Sequence, residues 1–177
     1  PSTKPTLTPK ADSLQRIDPK TNKLAATIGI GRRPSAVATG VGKVWAGTVE
    51  DQKLDRIDPA TNQITGTVTT GGTGAIAVGF GSLWVANFGD DTVERIEVPG
   101  PGQTPSLSTI DVGDGPADVT VGEGSVWVAN RLDGSVTRID PGSGDVLATT
   151  SVGNAPERVA AGDGSVWVTV RAAEDSS

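Results

Sequence analysis

Residues 122–140 read GEGSVWVANRLDGSVTRID: a G-x-G, the apolar run SVWVAN, the turn segment RLDG and a second run, SVTRID. The first run is apolar almost without alternation, as a strand covered on both faces is. The second alternates apolar and polar residues and ends at Asp140-Pro141, where the pre-proline restriction and the missing amide stop a strand. Taking Trp127 as the reference, the same surroundings recur around Trp45, Trp84 and Trp167, at separations of 39, 43 and 40 residues. Three and five residues before each Trp stand glycines: Gly42 and Gly40, Gly81 and Gly79, Gly124 and Gly122, Gly164 and Gly162. Eight before lies a β-branched residue (Val37, Ile76, Val119, Val159), and twelve after lies Ile57, Ile96 or Ile139, with Ile17 matching in a truncated first copy.

Working outward, each copy parses into four runs. PADVTVG (116–122) and its counterparts open near a Pro and close on the G-x-G hairpin turn. The Trp run and the SVTRID-type run follow, and VLATTSVG (146–153) alternates again as the fourth. Four short antiparallel strands cannot hide both faces of their own sheet, so successive sheets must stack on one another. A period near forty residues is the length of one four-stranded blade, and the expected fold is an all-β propeller rather than a two-sheet sandwich.

The expected organisation is a Pro/Thr-rich linker at 1–11, propeller repeats over 12–171 and a tail at 172–177. Three blades span about 35–69, 74–112 and 117–152. Residues 157–170 supply only the first two strands of a blade and 13–30 only the last two, so the chain ends could combine into a fourth. That would close a four-bladed ring without exposed edges. Aromatics make up only 3% of the chain, and small residues suit the shallower wedges of a ring of six to eight blades. The pattern leaves three arrangements open: a closed four-bladed ring, a piece of a larger ring, and one ring shared by two chains of a homodimer.

The chain carries 15 Lys plus Arg against 21 Asp plus Glu, a net charge of −6 that repels phosphate backbones, so no nucleic-acid partner is expected. No apolar run approaches the roughly 20 residues that span a bilayer, so no membrane insertion is expected within this segment. The opening PSTKPTLTPK is rich in Pro, Thr and Ser, the composition of an extended stalk, and it suggests a module tethered to something longer.

The string I-D-P-x-T-N-x-x-x-x-T-[IV], followed by V-G-x-x-P-x-x-V-x-x-G-x-G-S-V-W-V-A-N, resembles the YVTN-type and NHL-like propeller repeats of bacterial proteins, across nearly all of 11–170. The resemblance implies a surface-exposed, secreted or sensor propeller, and extends to propellers of the virginiamycin B lyase kind. For the latter it would imply a His-containing, magnesium-assisted site. This chain has no His.

With neither His nor Cys, the usual nucleophilic dyads and zinc sets cannot be assembled, and no catalytic residue, metal or cofactor is expected. Asp18, Asp58 and Asp140, each before a Pro or turn, read as Asx caps on nearby amides, and Asn22 and Asn62 as turn residues with positive φ. Asp90-Asp91 and Asp111 with Asp114 place carboxylates close together without the spacing of a calcium loop. The four tryptophans read as core wedged between sheets.

Binding surfaces are better sought where the copies differ. The links entering the first strand (GRRPSA, GGTGA, GDGPAD, GNAPER) and the hairpins after the second (TVEDQ, NFGDD, NRLDG) share one face of a propeller. That face is expected to present Arg32, Arg33, Asn87, Phe88, Asp118, Asn130, Arg131, Glu157 and Arg158, a mixed polar rim with one aromatic. It suits a protein, peptide or glycan ligand, and the reading that follows is a non-catalytic, extracytoplasmic recognition or sensor module. Two alternatives are part of a streptogramin-lyase-like enzyme whose catalytic residues lie outside this segment, and a structural spacer.

Overall fold

The computed structural model describes residues 10–98 and 105–172. All regular structure there is β. A two-stranded ladder, β1 (Ser13–Asp18) with β2 (Lys23–Gly29), precedes three four-stranded antiparallel sheets. These are β3 (Pro34–Gly40), β4 (Lys43–Thr48), β5 (Lys53–Asp58) and β6 (Gln63–Thr69); β7 (Ala75–Gly79), β8 (Ser82–Asn87), β9 (Thr92–Glu97) and β10 (Ser106–Asp111); and β11 (Pro116–Gly122), β12 (Ser125–Asn130), β13 (Ser135–Ile139) and β14 (Val146–Ser151). A second ladder, β15 (Ala155–Gly162) with β16 (Ser165–Arg171), ends the chain. Within each four-stranded sheet every strand pairs with the next in sequence, which is the blade of a β-propeller.

Turn chemistry explains the hairpins. Both central residues of every G-x-G turn have positive φ: Val41 and Gly42 (47° and 71°), Phe80 and Gly81 (53° and 76°), Glu123 and Gly124 (50° and 71°), Asp163 and Gly164 (54° and 73°). That is the type I′ geometry whose twist matches the flanking strands. At the same end of the first and third blades, between their third and fourth strands, the Asp-capped turns form as expected: Asp58 Oδ1 accepts from the amides of Ala60 and Thr61 at 2.9 and 3.2 Å, and Asp140 Oδ1 from Gly142 and Ser143 at 2.8 and 2.9 Å. Asn22 and Asn62 adopt φ of 53° and 58°.

The blades stack through their first strands, β3 on β7, β7 on β11 and β11 on β15. Close approach there requires glycine: a Cβ on Gly79 would lie 2.6 Å from Val121, and one on Gly122 2.8 Å from Ala161. The first two indoles are covered by the blade that follows them. Trp45 packs with Leu83, Val85 and Ile96, and Trp84 with Val119, Val126, Val128 and Ile139. The opposite face of the β3–β6 blade, at Val44, Ala46 and Ile57, is covered by Leu14, Ile28 and Ile30 from the β1–β2 segment.

Two expectations are corrected. The ladders β1–β2 and β15–β16 are separate two-stranded sheets, so the fourth blade expected from 157–170 plus 13–30 does not form within the chain. Trp167, expected in the core, is 67% exposed, against 1% for Trp45 and 0% for Trp84. The reason is positional: among the described residues no blade follows β15–β16 to cover its indole. Trp127, followed by only a half-blade, is half-buried. The expected linker and tail lie almost wholly outside the described residues.

Candidate functional site

The hairpins β4–β5, β8–β9 and β12–β13 place Val49, Phe88 and Arg131 at one repeated position, and Arg171 occupies it at the end of β16. The residue just before is an anchor in the three whole blades. Thr48, Asn87 and Asn130 are all buried, and the Asn130 Nδ2 donates to Ser135 Oγ and Thr137 Oγ1 at 2.9 and 2.8 Å. Asn87 and Asn130 therefore do not present themselves on the rim as expected. Asn87 donates to Thr92 Oγ1 at 3.3 Å and sits against Gly71 and Gly72. Anchoring the hairpin, these two amides leave the next side chain to project outward.

A β-bulge shapes the entering strand. Register shifts fall between Pro34 and Ala36, Pro116 and Asp118, and Pro156 and Arg158, which puts Ser35, Ala117 and Glu157 at the bulged position. Bulges re-aim side chains. Ser35 Oγ donates to the Thr73 carbonyl of the next blade. Glu157 sits between two guanidinium groups, 3.2 Å from Arg131 Nε and 3.0 Å from Arg171 Nη2. The structure thus joins Arg131 and Glu157, both expected on this face, and adds Arg171, which lies outside the three hairpin strings from which the rim was read.

Two of the other expected cations, Arg32 and Arg158, are also engaged. Arg32 lies 3.3 Å from Glu50 and 3.6 Å from Asp51, whose carboxylate accepts the Arg32 amide at 2.8 Å. That amide first, then the Arg32 charge, holds Asp51 below the usual carboxylate range. Asp118 accepts the Val159 amide at 2.9 Å and stands 3.9 Å from the largely exposed Arg158 guanidinium, so its main task is to clamp β11 to β15. Arg33, with φ of 53°, is exposed and forms no ion pair among the described residues.

Phe88 is exposed, and beside it is Leu132, 67% exposed, which sequence reading missed. The two flank Gly115: a Cβ there would lie 3.2 Å from the Phe88 ring and 2.5 Å from Leu132 Cγ. An apolar pair thus borders the Arg131–Glu157–Arg171 cluster, because Leu132 adjoins Arg131 in the same turn. The signal available in the sequence was an apolar residue in RLDG where the other hairpins carry Glu50 and Gly89. Of the expected acidic pairs, Asp91 accepts the Gly115 amide at 2.8 Å and so tethers one blade to the next.

No family model matches the chain, and no curated protein matches it in sequence. Solved structures match it in fold. A functionally unknown protein from Desulfotomaculum acetoxidans DSM 771 superposes with a TM-score of 0.77 at 17% identity, covering 90% of this chain and 56% of that one. A streptogramin B lyase gives 0.74 at 16% identity over 89% and 55%. Hydrazine synthase of Kuenenia stuttgartiensis gives 0.64 at 19% over 71% and 38%. The fold is that of a β-propeller, and the chain spans about half the length, or less, of these neighbours.

Proposed function

We propose that the chain is a non-catalytic recognition module that binds a peptide, protein or glycan on the face formed by the β4–β5, β8–β9 and β12–β13 hairpins. The observation that carries this reading is the Phe88–Leu132 pair standing exposed beside Arg131, Glu157 and Arg171. An apolar anchor next to a charged, orientable rim is the chemistry of a small recognition patch. The copies agree where they build the blade and differ here, which suits a scaffold that varies its contact residues. The Pro/Thr-rich composition of 1–11 supports a tethered, extracytoplasmic setting and the YVTN-like repeat a bacterial one.

The likeness to a streptogramin B lyase is one of fold, and this chain offers no His for a site of that kind. The test is a peptide and glycan array probed with the wild-type chain and with the double variant Phe88→Ala, Leu132→Ala. Loss of ten-fold or more in affinity for a retained probe, with melting unchanged, is the expected outcome. Equal retention by both proteins would place binding elsewhere, and no retained probe at all would favour a spacer.

A further inference from the structure

The slot between the first and second whole blades changes from apolar to polar at its hairpin end. Pairing of β8 with β9 sets Asn87 opposite Thr92 and Val85 opposite Glu94, on the face whose Leu83, Val85 and Ile96 pack on Trp45. The link from β6 to β7, TGGTG at 70–74, closes over this end, with Thr70 and Thr73 both buried. A Cβ on Gly71 would lie 2.8 Å from Asp90 Oδ2, 3.3 Å from Glu94 Oε1 and 3.3 Å from Asn87 Nδ2, and one on Gly72 would lie 3.3 Å from Asn87 Oδ1. Two carboxylates and a primary amide thus converge on bare backbone, and two consecutive glycines leave them the room.

Little in the slot answers that charge. Glu94 is 7% exposed and Asn87 1%. Glu94 Oε1 accepts the Gly71 amide at 2.8 Å, but Glu94 Oε2 and Asn87 Oδ1 are buried oxygens with no donor among the described residues. Neither Glu94 nor Asp90 has an ion-pair partner there. A carboxylate buried without a counter-charge is costly. A trapped water would donate to both orphan oxygens and still leave two negative charges uncompensated. The neighbouring blades differ. At the matching positions the first blade has Thr48, Asp51 and Asp55, where Asp51 is paired with Arg32 and Asp55 accepts from Thr67 Oγ1 at 2.7 Å. The third has Asn130, Asp133 and the neutral Thr137, and Asp133 Oδ1 accepts from the Ser135 amide and hydroxyl at 3.1 and 2.8 Å. Among the described blades, the second alone joins two carboxylates that have no cation to an amide oxygen that has no donor.

We propose that this slot binds a hard divalent cation, calcium or magnesium, through Glu94 Oε2, Asn87 Oδ1 and the Asp90 carboxylate. Water completes the coordination on the side of Asp90, which is exposed. Oxygen donors of this kind, two of them anionic, are what such ions take: calcium accepts carboxylates together with an amide carbonyl, and magnesium keeps several waters beside one or two carboxylates. The ion would tie the β6–β7 link to the β8–β9 hairpin and so hold the first blade to the second. Sequence reading expected no metal because Asp90-Asp91 lacks the spacing of a calcium loop, and because Asn87 and Glu94 come together only through strand pairing. The site stands apart from whatever binds at Phe88 and Leu132.

The test uses the full chain, stripped of metal with a chelator and titrated with calcium chloride or magnesium chloride by calorimetry and by thermal melting at constant ionic strength. Binding of a single ion per chain is expected, with a melting temperature raised by about 5 °C or more at an ion concentration roughly a hundredfold above the dissociation constant. Glu94→Gln and Asp90→Asn should each weaken binding about ten-fold or more, because affinity follows the charge of the donor set. Asp90 is exposed, so its variant keeps the fold even where Glu94→Gln does not. Asp133→Asn, the same position in the third blade, should bind the ion as the wild type does. The ion that binds more tightly identifies the occupant. Neither heat nor a melting shift with both ions, undiminished binding by Asp90→Asn, or an equal loss in Asp133→Asn would overturn the site.

Discussion

The blade at 75–111 and the half-blade at 155–171 are built from nearly the same residues and have opposite fates. GSLWVAN at 81–87 has its indole fully buried beneath the next blade, and GSVWVTV at 164–170 has its indole in solvent. Both segments form the same I′ hairpin and the same antiparallel ladder. The difference lies in what stands beside them. In a stack where each unit touches only its neighbours, local structure repeats faithfully while burial depends on position in the row.

That contrast is open to direct attack. Trp84→Ala should cost about 3–5 kcal/mol by chemical denaturation, since it leaves a cavity beneath Val119 and Ile139. The same change at Trp167 should cost less than about 0.5 kcal/mol. Equal losses at the two sites would show that Trp167 is covered and that the open stack is wrong. Gly79→Ala comes next: its new methyl meets Val121 on the next blade, and a loss of about 1–3 kcal/mol is expected in the same assay. Gly162→Ala, which meets nothing, should leave the denaturation midpoint almost unmoved.

A smaller effect of opposite sign is expected at Val41, a β-branched residue held at φ 47° in an I′ turn. Val41→Asn should raise stability by about 1 kcal/mol, read as a higher melting temperature, because Asn tolerates the left-handed region. Glu123→Asn in the third blade should gain less.

The mildest prediction concerns acid. Amides lower the carboxyl pKa of Asp18 and Asp140, and Lys43 together with the amides of Ala60 and Thr61 does the same at Asp58. A lowered folded pKa means the stabilisation is present above the ordinary value of 3.8 and is lost as pH falls through the folded value. Stability should therefore decline below about pH 4, and Asp140→Asn should flatten that part of the profile. A variant curve parallel to wild type down to pH 2 would count against the caps.

Much of the blade was legible. The type I′ turns, the Asp caps and the strand order follow from residues within a few positions of one another, because short hairpins leave a strand no partner but its sequence neighbour. The candidate rim was legible in part. Phe88, Arg131 and Glu157 lie where the varying loops put them, but Leu132 and Arg171 were overlooked and Asn87 and Asn130 turned out to be buried anchors. An Asn in a turn looks the same in sequence whether its amide faces water or ties down the hairpin, and only the position of Thr92, Ser135 and Thr137 separates the two.

The repeat alone determined that this chain makes four-stranded blades with a Trp in each second strand, since turns and alternation are written in contiguous residues. Tertiary structure decided which indoles are buried, where the bulge aims Glu157, and that β1–β2 and β15–β16 stand apart with open edges. Those outcomes depend largely on contacts between one blade and the next, and identical local strings carry no record of whether a neighbour is there to meet them.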